Sequence, residues 1–262
     1  MRRALPLLVL VAVAAGCGHS SARESETAIP PSTTTSATTT TTSSTTTTTD
    51  TQPTAAIRIY LVRDGRVSPV RRFVPSTPAI GQAALDELQS GPTGDERSAG
   101  LSTAIGSLRL GGLAIKDGEA DLGALTHVSQ LARGQIAYTL LQFPTVRKVR
   151  IGDDVVERSD LEDVTPVILI ESPLPGETVT SPIHVTGTSN TFEATMRLEV
   201  RRGSQVLTGE TVTATSGSGQ RGTFSATLDV DAPPGPITLV AFEPSAENGQ
   251  PIHTVTVPLT LG

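Results

Sequence analysis

The 262-residue chain has room for one or two folded domains of the usual ~100–200 residues. Its net charge is -6, its aromatic fraction is 3% and it has no Trp, so it lacks the basic face that nucleic acid requires and offers no aromatic platform for stacking bases or sugars. One cysteine excludes an internal disulfide and any Cys-based zinc site.

Met1-Arg2-Arg3 is a positive leader. The apolar run Ala4 to Ala15 that follows is shorter than the ~20 residues a membrane-spanning helix needs. Ala14-Ala15-Gly16-Cys17 resembles a bacterial lipobox, in which small residues precede a cysteine that is lipidated. Residues 1–17 therefore read as a lipoprotein signal and Cys17 as the lipid attachment site. The expected location is the outer face of the bacterial cytoplasmic membrane. Two acyl chains on that cysteine would anchor the chain, since each buried CH2 contributes ~0.8 kcal/mol. From Ser32 to Thr51 nearly every residue is Thr or Ser. Such a run cannot bury apolar surface. Residues 18–56 thus read as a disordered stalk reaching roughly 35 Å, from ~5–6 Å × √n.

The first domain is expected over residues 57–156. Ile57, Ile59 and Leu61 alternate as on a strand, Asp64-Gly65 signals a hairpin turn, and Val67 to Val74 is the returning strand. Pro69 implies an edge position or a bulge. Thr77-Pro78 reads as a helix start, Ile80, Ala84, Leu85 and Leu88 fall at helical spacing, and Gly91-Pro92 ends the run. Strands are expected at Leu108–Lys116 and Glu119–Leu122, around Asp117-Gly118. Val128, Leu131, Ala132, Ile136, Leu140 and Phe143 mark a second helix, and Val146–Ile151 a closing strand. This order gives an α+β domain, a mostly antiparallel sheet with helices on one face. Residues 157–165 read as a polar linker, so the two domains are expected to fold independently.

From Pro166 the helical period disappears. Strand-like runs recur at Val167–Glu171, Ile183–Thr188, Thr195–Arg201, Val206–Thr213, Thr223–Val230, Ile237–Phe242 and Ile252–Leu261. About seven strands in about a hundred residues is the signature of an all-β immunoglobulin-like sandwich, expected over residues 166–262. This second domain is acidic, and solvation is the plain reading of that charge.

The first domain resembles the germane domain (GerMN) of sporulation and spore germination lipoproteins. The matching stretches are Val67-Ser68-Pro69-Val70-Arg71-Arg72, Ala84-Leu85-Asp86-Glu87-Leu88 with Gly91-Pro92-Thr93, Asp117-Gly118-Glu119-Ala120-Asp121-Leu122, and the run Gln135 to Val146. The second domain is similar to the Ig-like domain found beside germane domains, through Ile170-Glu171-Ser172-Pro173, Val185-Thr186-Gly187, Gly222-Thr223-Phe224 and Phe242-Glu243-Pro244-Ser245. The resemblance implies a sporulation or germination role and brings no catalytic residues with it.

Chemistry-bearing motifs are sparse. His19, His127, His184 and His253 are scattered, no G-x-S-x-G exists, and the Asp153-Asp154 and Asp160–Asp163 acids lack the spacing of a calcium loop. No metal, cofactor or catalytic residue is expected. One constellation stands out: Gln135, Tyr138, Thr139 and Gln142 share one polar helix face at i, i+3, i+4, i+7. Such a face can read a glycan or a peptide, or it can tie the helix to its neighbours. Arg71-Arg72 and Arg147-Lys148-Arg150 form basic stretches that are either solvated or a binding face. The expected function is a non-catalytic envelope lipoprotein binding cell-wall glycan or another envelope protein. A peptidoglycan-acting enzyme and a regulatory lipoprotein of a membrane sensor are the rivals.

Overall fold

The computed structural model describes residues 53–123 and 125–262. The signal, Cys17 and nearly all of the stalk lie outside the described residues. Strands β1 (Thr54–Arg63) and β2 (Arg66–Pro75) form an unbroken antiparallel hairpin from Thr54↔Pro75 to Arg63↔Arg66. Asp64 (φ 51°) and Gly65 (φ 73°) are both left-handed, the turn that matches the strand twist. β1 starts three residues before the Ile57 read from alternation, because Thr54, Ala55 and Ala56 still have partners on β2. Pro69 faces Tyr60, whose backbone bonds away from β2. The missing proline N–H therefore points to the open edge, as Pro69 implied.

Helix α1 (Ile80–Ser90) buries Ala84, Leu85 and Leu88. It begins after the Thr77-Pro78 signal, because the Thr77 hydroxyl accepts the Ala79 N–H in a separate turn. A short helix α2 (Gly94–Ser98), not expected, is held by a reciprocal cap between Thr93 and Glu96. Strands β3 (Ala114–Lys116), β4 (Glu119–Asp121), β5 (Lys148–Ile151) and β6 (Asp154–Val156) make a sheet in that order. The β4–β5 pair is parallel, crossed by helix α3 (Gln130–Leu140). The strand expected from Leu108 shrinks to three residues, since Gly111-Gly112 interrupts it and Gly112 is left-handed (φ 75°). The acids at Asp153-Asp154 form the turn and start of a hairpin that adds β6 beyond the expected closing strand.

The second domain is the immunoglobulin-like sandwich. One sheet runs β11 (Gln205–Thr213), β10 (Thr195–Arg202), β13 (Gly235–Pro244), β14 (Pro251–Leu261), β8 (Thr178–Val179). The other runs β12 (Gly222–Leu228), β9 (Ile183–Ser189), β7 (Ile168–Ser172). Met196, Leu198, Phe224 and Leu239 fill the space between them.

The boundary between the domains is packed. The expected polar linker is a 3-10 helix, Arg158–Val164, whose Leu161 and Val164 are buried in the first core. The alternation of β7 divides its side chains between two cores: Ile168 and Ile170 enter the sandwich, while Leu169 enters the α+β core. Arg221 clamps the linker from the sandwich side. It reaches both carboxylate oxygens of Glu162 at 2.8 and 2.9 Å and the Pro166 carbonyl at 2.8 Å.

Candidate functional site

The polar face of α3 meets protein. Arg58, Tyr60 and Val62 turn their backbone groups away from β2, leaving β1 with an open edge. Gln142 exchanges two hydrogen bonds with the Arg58 backbone: the Arg58 N–H donates to Oε1 at 2.8 Å and Nε2 donates to the Arg58 carbonyl at 2.6 Å. The Tyr60 N–H donates to Thr139 Oγ1 at 3.1 Å, and Gln135 Nε2 donates to the Tyr60 carbonyl at 2.8 Å. Val62 pairs with the Ser102 backbone, whose neighbour Ala104 gives its N–H to Gln135 Oε1 at 2.6 Å. Together they stand in for a third strand. An unpaired backbone group would be costly in that dry interior, so the helix face packed on the edge has to be polar. Gln135, Tyr138 and Thr139 are fully buried and Gln142 is half-buried. This corrects the reading of the stripe as ligand-binding in favour of its other reading, a tie to neighbouring elements: Gln135, Tyr138 and Thr139 have no surface to offer a ligand, and the amide of Gln142 is bonded to the Arg58 backbone.

The basic stretches are also engaged. Arg72 makes a two-pronged pair with Glu96, both bonds at 2.7 Å, and sits 3.5 Å from Glu87. Arg71 pairs with Glu177 of the second domain at 3.2 Å and lies over the Phe73 ring. Lys148 and Arg150 share Glu119 at 2.8 and 2.6 Å. The arginines at 71 and 72 thus form ion pairs within the protein, in place of the solvated stretch or binding face read from the sequence.

Both tyrosines of the chain meet at the domain seam, their ring centroids 5.1 Å apart. The Tyr138 hydroxyl bonds Thr165 Oγ1 at 2.9 Å, and Thr165 in turn donates to the Leu161 carbonyl at 2.7 Å. The Tyr60 hydroxyl donates to Glu171 Oε1 at 2.9 Å, and Arg158 Nη1 donates to the same oxygen at 2.8 Å. The Arg158 guanidinium lies 5.0 Å from the Tyr138 ring centre. Arg58 completes the set by donating to the Glu171 carbonyl at 3.0 Å. Burial alone would push the Glu171 carboxyl up. The charge of Arg158, its hydrogen bond, Arg58 and the Tyr60 hydroxyl outweigh that and hold Glu171 below the usual carboxylate range. Burial, then the Glu171 charge, push the Tyr60 phenol well above its ordinary value.

Beside this cluster a groove of about 530 Å³ runs along the seam. The β1–β2 turn closes one side, the start of β7 forms a second, and His253–Val257 of β14 forms a third. Its volume lies within the ~300–1,000 Å³ of ordinary ligand clefts.

Residues 45–152 match the family model described as sporulation and spore germination (Germane), and residues 167–250 match the immunoglobulin-like domain of bacterial spore germination (Gmad2). The chain carries a Germane domain followed by a Gmad2 domain. Among solved structures, the tandem GerMN domains of the sporulation protein GerM from Bacillus subtilis match at 21% identity with a TM-score of 0.34. That match covers 41% of this chain and 45% of the other, so it spans less than half of that structure. No curated protein matches the chain.

The two matched stretches leave residues 153–166 between them. Arg158, Glu162 and Thr165, which lock the Germane domain to the Gmad2 domain, fall in that interval. Sequence reading missed Arg158 and Glu162 as well as Glu171 and Arg221. The one signal for Glu171 was a carboxylate placed directly after the apolar run Val167–Ile170.

Proposed function

We propose that the chain is a non-catalytic scaffold of the sporulation and spore-germination type. It is tethered through lipid on Cys17 to the outer face of the cytoplasmic membrane. It presents its two domains as one rigid body to cell-wall glycan or to another envelope protein. The observation that carries this reading is the seam. Tyr60 and Arg158 share one carboxylate oxygen of Glu171 and Tyr138 bonds Thr165, so these perturbed titratable groups are committed to joining domains. Perturbed groups mark active sites when they line a cleft with spare bonding capacity. Here the shared oxygen already accepts two donors.

Two measurements test the proposal. Metabolic fatty-acid labelling should mark the wild type and fail to mark Cys17→Ser. Purified protein incubated with peptidoglycan should release no soluble fragments. Absence of label overturns the anchor, and release of fragments overturns the non-catalytic reading.

A further inference from the structure

Two strand edges open into the seam groove. β7 is the last strand of its sheet, and β14 has a backbone partner on its outer side only from Pro258 onward, where it bonds Gly176 and Glu177 and pairs with β8. The side on which each β14 residue bonds is fixed by its neighbours. The Pro258 carbonyl accepts the Gly176 N–H and the Thr260 N–H donates to the Glu177 carbonyl, both away from β13. Thr256, two residues earlier in the ladder, therefore turns its N–H and carbonyl outward as well, into the groove. The side of the groove formed by β2 is weaker for pairing, because Pro69 has no N–H to offer there.

The rim of the groove is basic. Arg63 and Arg66 spend their bonds on the carbonyls of Ala99, Asp163 and Thr165, and neither forms a salt bridge among the described residues. Asp64 is the single carboxylate in the lining. Apolar surface from Val167, Pro175 and Val255 forms the floor. Open backbone groups, an apolar floor and guanidinium groups without a salt bridge together fit one kind of occupant.

We propose that the β14 edge at Thr256 receives an extended segment of a partner protein, which adds to the sheet as a strand. That segment alternates apolar side chains and carries an acidic residue that reaches Arg63 or Arg66. Backbone hydrogen bonds supply the affinity, and the alternate side chains and the acid supply the choice of partner. This rests on the scaffold reading and names the chemistry of its partner.

The test uses the two-domain protein and three labelled ten-residue peptides of alternating Val and Thr. The first has a central Glu, the second a central Lys, and the third is the Glu peptide with alternate amides N-methylated. Fluorescence anisotropy should show binding of the Glu peptide and weaker binding of the Lys peptide, with the N-methylated peptide down by about tenfold or more. Thr256→Pro should cause a similar loss with an unchanged melting temperature, since Pro258 already occupies the same edge two residues on. Arg63→Glu is the second variant, and it should reverse the preference between the Glu and Lys peptides. The proposal is overturned if none of the peptides binds at millimolar concentration, or if Thr256→Pro and N-methylation leave binding unchanged. Self-association of the free protein that disappears in Thr256→Pro would also overturn it, by making a second copy the occupant. None of these failures touches the scaffold reading, which is judged by lipid labelling and by inertness toward peptidoglycan.

Discussion

Replacing Glu171 measures the strength of the seam. Its Oε1 accepts from the Tyr60 hydroxyl at 2.9 Å and from Arg158 at 2.8 Å, and its side chain is 15% exposed. In Glu171→Gln the amide oxygen keeps both donors but loses its charge. Bonds to a charged group contribute ~1.5–3 kcal/mol and neutral ones ~0.5–1.5; the Tyr60 bond falls to the neutral class and the Arg158 bond keeps its charged donor but loses its counter-charge, so the two changes together cost about 2 kcal/mol. Arg158 is about one-third exposed, which lets water restore part of its solvation and keeps the loss from being larger. For a body of this size, about 2 kcal/mol lowers the melting temperature by roughly 4–8 °C. The pH dependence gives a second reading. The folded carboxyl of Glu171 is depressed, so its stabilisation is complete above the ordinary carboxylate range and is lost as pH falls through the lower folded value. Calorimetry of the described residues at neutral pH should show the drop. Between neutral and acid pH the difference between wild type and Glu171→Gln should shrink. A variant that melts with wild type at neutral pH, or a gap that widens on acidification, would refute the reasoning.

Three further outcomes follow from the same contacts. Tyr138→Phe removes the bond to Thr165 and should lower stability by about 1 kcal/mol in urea melts while leaving the binding of any partner unchanged. Gln135→Leu strands the Tyr60 carbonyl and the Ala104 N–H and should cost about 2–4 kcal/mol, seen as fast amide exchange at Ala104. Gly134→Val puts a Cβ 2.7 Å from Val164 Cγ2, so overpacking of about 1–3 kcal/mol should appear as earlier thermal unfolding.

The elements governed by local periodicity were legible in the sequence. Ile57/Ile59/Leu61, Asp64-Gly65 and the sandwich runs each announced their structure, since period and turn chemistry act over a few residues. What a helix face meets is a different question. Gln135, Thr139 and Gln142 do share one face, as their spacing showed, but nothing in the spacing says that the open edge of β1 lies opposite. The same limit hid the 3-10 linker helix: its acids are real surface, and only Leu161 and Val164, three residues apart, hinted at a buried side. Helix α2 was more accessible, because Thr93 and Glu96 form a readable capping pair.

The seam also decides how the chain can be cut. A break after Val156, where composition suggested a boundary, separates the first domain from Leu161, Val164 and Leu169. These three are at most 6% exposed, and each buried aliphatic side chain is worth about 1.5–3 kcal/mol. Their combined loss, about 5–9 kcal/mol, matches the whole stability of an ordinary domain, ~5–15 kcal/mol. Extending the fragment through Ser172 restores the three residues but takes β7 from the sandwich, where Ile168 and Ile170 are buried. Fragment Ala56–Val156 should therefore show no cooperative melt. Fragment Glu157–Gly262 keeps its own sheets and should melt cooperatively, with Leu169 newly exposed and ready to bind a hydrophobic dye. Mixing the two should restore a cooperative transition for the first. If Ala56–Val156 melts cooperatively alone, with a midpoint near that of the intact protein, then the buried residues of the linker and β7 are not part of what holds the first domain together.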